Sequence, residues 1–171
     1  MPPARVVLAV VLLTVALAVQ VTLMSRLPLP GATPDLLLLV VVALALAHGP
    51  GFGLVCGFAA GLAADLVPPA DHEVGRWALV LTLVGYLAGM ARDQTRRSAF
   101  VPLVVVAVAG AGSVLAYAGV GALMDDPNVT WGAVRSLLPT AVVYDVVLSA
   151  FVLPAVLTVA RRAEADQAAF A

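Results

Sequence analysis

The sequence predicts an all-α integral membrane protein with about six transmembrane helices. Three observations carry that prediction. First, 63% of the 171 residues are hydrophobic and 11% are charged, and the mean hydropathy is +1.08. A soluble domain carries roughly 25% charged residues, so there is too little polar surface here to cover a soluble globule. Second, the apolar residues gather into runs separated by short polar or proline-rich breaks. Third, one run, GPGFGLVCGFAAGLAADLV, carries Gly49, Gly53, Gly57 and Gly61 at four-residue intervals and ends the series on Asp65. Such a helix is weak in water. In lipid the same glycines let another backbone approach closely, which is how membrane helices associate.

The chain reads as one polytopic domain, residues 1–171, with spans at about 5–24, 34–48, 51–67, 76–91, 100–124 and 134–160. The first run, Arg5 to Met24, covers ~30 Å of hydrocarbon at ~1.5 Å per residue. Arg5 and the triplet Ala16-Leu17-Ala18 also suit a signal peptide. However, the run continues through Val19, Val21, Leu23 and Met24, beyond the ~7–15 residues of a signal core, and an uncleaved anchor is expected. Ser25 to Thr33 is a loop, because two prolines and a glycine cannot continue a helix. Pro34 suits the first turn of the second helix. His48-Gly49-Pro50-Gly51 is a tight turn into the third. The second and third runs are short for full spans, so a thin pair of spans and a re-entrant hairpin are both open. Residues 68–75 form a polar loop. The fourth run carries a second small-residue pair, Gly85 and Gly89. Residues 92–97 (RDQTRR) form a charged loop, and Asp125-Asp126-Pro127-Asn128 ends the fifth run. The sixth contains Pro139 and Pro154, and the tail from Arg161 is polar.

Six spans, or four around a re-entrant hairpin, put both termini on one side. With the N-terminus inside, Arg5, Arg92, Arg96, Arg97, Arg161 and Arg162 are cytoplasmic and Arg26, Arg76 and Arg135 lie outside. The positive-inside rule therefore favours cytoplasmic N- and C-termini, and it places Trp77 and Trp131 at the outer interface, where indoles prefer to sit. The net charge of −1 and the lack of a basic stripe give no sign of nucleic-acid binding. Cys56 is the single cysteine, so no intramolecular disulfide forms; between glycines it reads as a small hydrophobe.

No nucleophile motif, phosphate-cradling loop or metal-ligand spacing is present. The sequence therefore points to a non-enzyme with no cofactor and no metal. Asp71-His72-Glu73 is a solvated triplet, since adjacent residues rarely converge on one ion and a structural site needs about four ligands. His48 and His72 fall near opposite faces, so neither can serve a serine in the middle of the membrane.

Three acids stand out. Asp145 lies about ten residues, or roughly 15 Å, into the sixth run, near the midplane, where a bare charge costs ~2.5–3.5 kcal/mol. It is either a proton or substrate site or a polar clasp with a Ser, Thr or Tyr of a neighbouring helix. Asp35 falls in the first turn of its helix, where the dipole favours an anion. Asp65 falls at a helix C-terminus, where the dipole disfavours one, so it is expected to pair with Arg76, Arg26 or Arg135. The glycines have two uses, packing inside the monomer or a dimer or partner interface.

Pro34-Asp35-Leu36-Leu37-Leu38, the segment Gly53 to Asp65, Gly85-Tyr86-Leu87-Ala88-Gly89, and Tyr144-Asp145 followed by Pro154 together resemble the MreD family of bacterial rod shape-determining membrane proteins. The resemblance covers nearly the whole chain; the order and spacing of these weak motifs carry it. It implies a non-enzymatic scaffold of peptidoglycan elongation in the bacterial inner membrane. Such a scaffold binds an MreC-like bitopic protein near a RodA-type glycosyltransferase and a class B penicillin-binding transpeptidase. It also implies a fold similar to the S-components of energy-coupling-factor transporters. Asp145 departs from the amide expected after the tyrosine of the last span. The alternative function is a small-solute-binding, S-component-like transport subunit. For that, the polar groups available are sparse: Gln20, Tyr86, Tyr117, Tyr144 and Asp145.

Overall fold

The computed structural model describes residues 3–24, 30–67, 75–95, 98, 100–124 and 129–169. Arg26, Asp71, His72, Glu73, Arg96, Arg97, Asp125 and Asp126 lie outside the described residues. The helices are α1 (Pro3–Thr22), α2 (Leu36–His48), α3 (Pro50–Leu66), α4 (Arg76–Met90), α5 (Arg92–Thr95), α6 (Val101–Leu123) and α7 (Trp131–Ala169). No strand occurs among the described residues. The fold is that of an all-α membrane protein.

Three helical segments are long and apolar enough to cross a membrane: Ala4–Thr22, Val101–Leu123 and Trp131–Ala163. The helices at 36–48, 50–66 and 76–90 are apolar but shorter. At ~1.5 Å per residue they reach only about 20–25 Å, against ~30 Å of hydrocarbon.

The shortest of them sits in the middle. Every residue of α2 from Leu37 to Leu46 is buried, as expected of a helix that is hydrophobic all round. It contacts each of the other six helices. Asp35 caps its start, its side chain accepting from the Leu38 amide, and Gly49 closes it at φ 96°. Pro50 then opens α3 at once, because proline needs no donor at a first turn. The α2–α3 hairpin therefore turns on a single residue.

The α3–α4 pair is held by backbone proximity. A Cβ placed on Gly57 would collide with the Leu81 carbonyl, one on Gly61 with Trp77 and Ala78, and one on Gly53 with the Gly85 carbonyl. Gly85 meets Gly53 in return, and Gly89 meets Gly49 and Pro50. The two small-residue series thus face each other within one chain. The backbone of α4 fills the surface a partner would need.

Three elements differ from the hydropathy reading. The second helix starts at Leu36, with Asp35 as its N-cap, so Pro34 precedes the helix rather than opening its first turn. Residues 92–95 form the short helix α5 rather than loop, with Thr95 Oγ1 donating to the Arg92 carbonyl at 2.7 Å. The last helix starts at Trp131 and runs to Ala169 through Pro139 and Pro154. Thr130 caps its start, accepting from the Ala133 amide at 3.3 Å, and the polar tail continues the helix. Hydropathy marks where lipid ends, not where helical hydrogen bonding ends.

Gly57→Ala should force α3 and α4 apart and lower stability by about 1–3 kcal/mol. Gly112→Ala should be tolerated, since nothing lies within 4 Å of that position. Thermal melting of both variants in detergent checks this, and equal melting temperatures would refute the packing account.

Candidate functional site

Every helix begins with backbone N–H groups that have no intrahelical acceptor. In hydrocarbon no water can take them. Short helices that start inside the protein must therefore find acceptors among neighbouring side chains, and two polar centres in this chain supply them.

The first centre surrounds the start of α2. The Asp35 amide donates to Asp145 Oδ1 at 2.7 Å, the Leu36 amide to Gln20 Oε1 at 2.8 Å, and the Leu38 amide to Asp35 Oδ1 at 2.9 Å. Gln20 also donates through Nε2 to the Pro34 carbonyl at 3.1 Å. The acceptors thus come from α1, from α7 and from the cap residue itself. Asp145 is 2% exposed, and a Cβ on Gly110 of α6 would stand 2.9 Å from its Oδ2.

The chain leading into α2 makes this meeting possible. It lies along α7, where the Tyr144 hydroxyl donates to the Pro30 carbonyl at 3.2 Å and the Ala32 amide to Thr140 Oγ1 at 3.1 Å. Gly31, at φ 87°, lies so close to Thr140 that no side chain fits there. By run length Asp35 belongs at an outer end and Asp145 near the midplane. The structure brings them to one level, because the segment before α2 descends along the α7 wall. The partner of Asp145 is accordingly a main-chain amide, not the Ser, Thr or Tyr side chain expected of a clasp.

The second centre is the start of α4. Its N-cap, Gly75, is in the left-handed region at φ 103° and has no side chain to cap with. Asp65, 0% exposed at the end of α3, does so instead. Its Oδ2 accepts from Gly75 at 2.9 Å and Ala78 at 3.0 Å, and its Oδ1 from Trp77 at 3.1 Å. The dipole that disfavours a carboxylate at the end of its own helix is thus met by the favourable end of the next. Arg76 reaches to α6. Its Nε and Nη2 donate to the Tyr117 carbonyl at 2.9 and 2.6 Å, and its guanidinium lies 3.6 Å from the Tyr117 ring centroid. Gly121 leaves room for it. Arg135 is exposed.

A cavity of about 470 Å³ opens beside the first centre, between α1, α4, α6 and α7. Gln20, Asp35, Ser113 and Asp145 are among its walls, together with Trp77 and Tyr117, and it extends along α7 to Thr130. Gln20, Tyr117 and Asp145 were the polar groups available to a solute in the sequence, and the fold gathers them here. Tyr86 is 41% exposed elsewhere, and Tyr144 is held by Pro30. Sequence reasoning gave no role to Ser113, Gly110 or Thr140. A lone polar or small residue in an apolar span was the available signal, but that signal names no partner.

Asp65→Asn replaces one acceptor oxygen with a donor that faces backbone N–H groups, and leaves at least one buried amide unpaired. A loss of about 1–3 kcal/mol is expected. Gln20→Leu, which strands the Leu36 amide and the Pro34 carbonyl, should cost a similar amount. Thermal melting in detergent reads both; an unchanged melting temperature for Asp65→Asn would show that the carboxylate is not the cap.

No curated protein and no solved structure matches the chain, so the expected likeness to transporter S-components has no structural match behind it. The family model described as rod shape-determining protein MreD matches residues 4–161. That span takes in α1 to α6, both capping centres and most of α7. The chain belongs to the MreD family of rod shape-determining membrane proteins.

Proposed function

We propose that this protein is a non-enzymatic scaffold of the peptidoglycan-elongation machinery. It binds the single transmembrane helix of an MreC-like partner and works beside a RodA-type glycosyltransferase and a class B penicillin-binding transpeptidase. Membership of the MreD family supports the role in shape determination. The observation that carries the docking proposal is an apolar groove between α4 and α6, about 340 Å³ in volume, with Val84, Leu87, Val108, Gly112 and Ala116 among its walls.

Gly53, Gly57, Gly61, Gly85 and Gly89 are spent on the α3–α4 contact, but Gly112 and Gly119 of α6 are not. Nothing lies within 4 Å of Gly112 or of Gly119. Seven residues apart, the two fall on nearly one face of α6. Ala116 lies between them. A small-residue ridge beside a groove is what a partner helix needs in lipid, where close backbone approach replaces the hydrophobic effect.

The orientation proposed is that of a bacterial inner-membrane protein with both termini cytoplasmic. A second cavity groups Leu46 and Ala47 of α2 with Thr95, Leu157 and Arg161. The end of α2, α5 and the end of α7 therefore lie together. Arg92 lies beside Gly49 at that end, and by the positive-inside rule an arginine-rich end belongs in the cytoplasm.

The test is co-purification from bacterial membranes. Gly112→Leu fills the groove without touching the α3–α4 contact. It should abolish recovery of the MreC-like partner and round the cells, while the melting temperature of the isolated protein stays put. Full recovery of the partner with Gly112→Leu would rule out this groove as the docking surface. A second reading, a solute-binding subunit, is favoured by one observation, the cavity that holds Asp145.

A further inference from the structure

The cavity beside α2 has an imbalance of charge. Among the described residues, two carboxylates, Asp35 and Asp145, line it, and no Arg, Lys or His does. Arg76 of α4 donates to the Tyr117 carbonyl, lies over its ring and is not among the wall residues. Asp145 is 98% buried by its 2% exposure. Its Oδ1 accepts the Asp35 amide, and no hydrogen bond among the described residues reaches its Oδ2. The remaining wall is mainly apolar, with Ala118, Val134, Leu137 and Ala141 among its residues. Trp77 and Tyr117 add aromatic surface, and their rings are in contact at 4.8 Å between centroids.

We propose that this cavity binds a small organic ammonium group carried on a short apolar body, with the Asp145 and Asp35 carboxyl groups as its polar partners. The chemistry discriminates among cations. A hard cation such as Mg2+ or Ca2+ wants six or more oxygen ligands at short range. Here Gln20 is spent on the Leu36 amide and the Pro34 carbonyl, and the Ser113 hydroxyl donates to the Gly110 carbonyl at 2.9 Å. An ammonium group needs fewer acceptors, and its alkyl part takes up the apolar wall. A volume of about 470 Å³ lies within the roughly 300–1,000 Å³ typical of ligand pockets. The cavity reaches Thr130, which is exposed, so the site has an entrance at the Trp131 end of α7. This site is independent of partner docking on α6, and either can fail without the other.

The probe is n-hexylammonium chloride, titrated against the purified full-length chain in neutral detergent and read by thermal melting. A saturable rise in melting temperature is expected. Hexan-1-ol and sodium chloride at the same concentrations should give none. Asp145→Asn keeps an acceptor for the Asp35 amide but removes the charge, and should abolish the rise. Ala133→Leu, which narrows the cavity without touching either carboxylate, should weaken binding at least tenfold and decides the matter if the first variant does not fold. An equal rise with hexan-1-ol, a rise with sodium alone, or an undiminished response in both variants would overturn the proposal. In phosphatidylcholine nanodiscs, loss of the hexylammonium response on adding phosphatidylethanolamine would identify a lipid headgroup as the source of the ammonium. A response kept in both kinds of disc would identify a soluble amine.

Discussion

The need to satisfy helix N-termini away from water governs this structure. A full-length span begins in the headgroup region, where its first amides meet water. The helices α2 and α4 are too short to cross the hydrocarbon, and α2 is enclosed by all the others. Their free amides must be met by side chains from elsewhere in the chain. Asp65 performs this for α4, and Gln20, Asp35 and Asp145 perform it for α2. The acids are therefore conditions of the fold first, and any further chemistry is built on them.

The glycine series meets the same problem from the other side. Hydrophobic burial does not drive helices together in lipid, so the α3–α4 contact depends on backbones close enough for extensive van der Waals contact. Gly53, Gly57, Gly61 and Gly85 allow that approach. The two devices are coupled. Asp65 follows Gly61 by one turn and caps the helix that Gly61 packs against. The close approach brings the carboxylate to the amides, and the capped end fixes the register of the approach.

How much of this was legible in the sequence depends on the range of the interaction. Periodicity within one helix is local, so the glycine faces, the acid at the start of α2 and the apolar runs could be read directly. The depth of Asp35 could not. It depends on residues 30–35 running along α7, a contact between positions more than a hundred apart in the chain. The amide partners of Asp65 were hidden for a different reason. A carboxylate at a helix C-terminus suggests a cationic side chain, whereas backbone amides leave no trace in residue identity. Gln20 shows the same limit, since its amide satisfies a donor and an acceptor that have no side-chain signature.

The cap on α2 also bears on why an acid stands at position 145. The Asp35 amide needs one acceptor oxygen, and an asparagine would supply it with no charge to bury. The second oxygen of Asp145 contributes nothing to the cap, yet it sits in a protein interior where an uncompensated charge is costly. Capping accounts for a polar residue at this position, but not for an ionisable one. In the ligand proposal above, an occupant of the cavity that Asp145 lines supplies that compensation. On that proposal a structural scaffold and a ligand site share one residue, whose Oδ1 holds the start of α2.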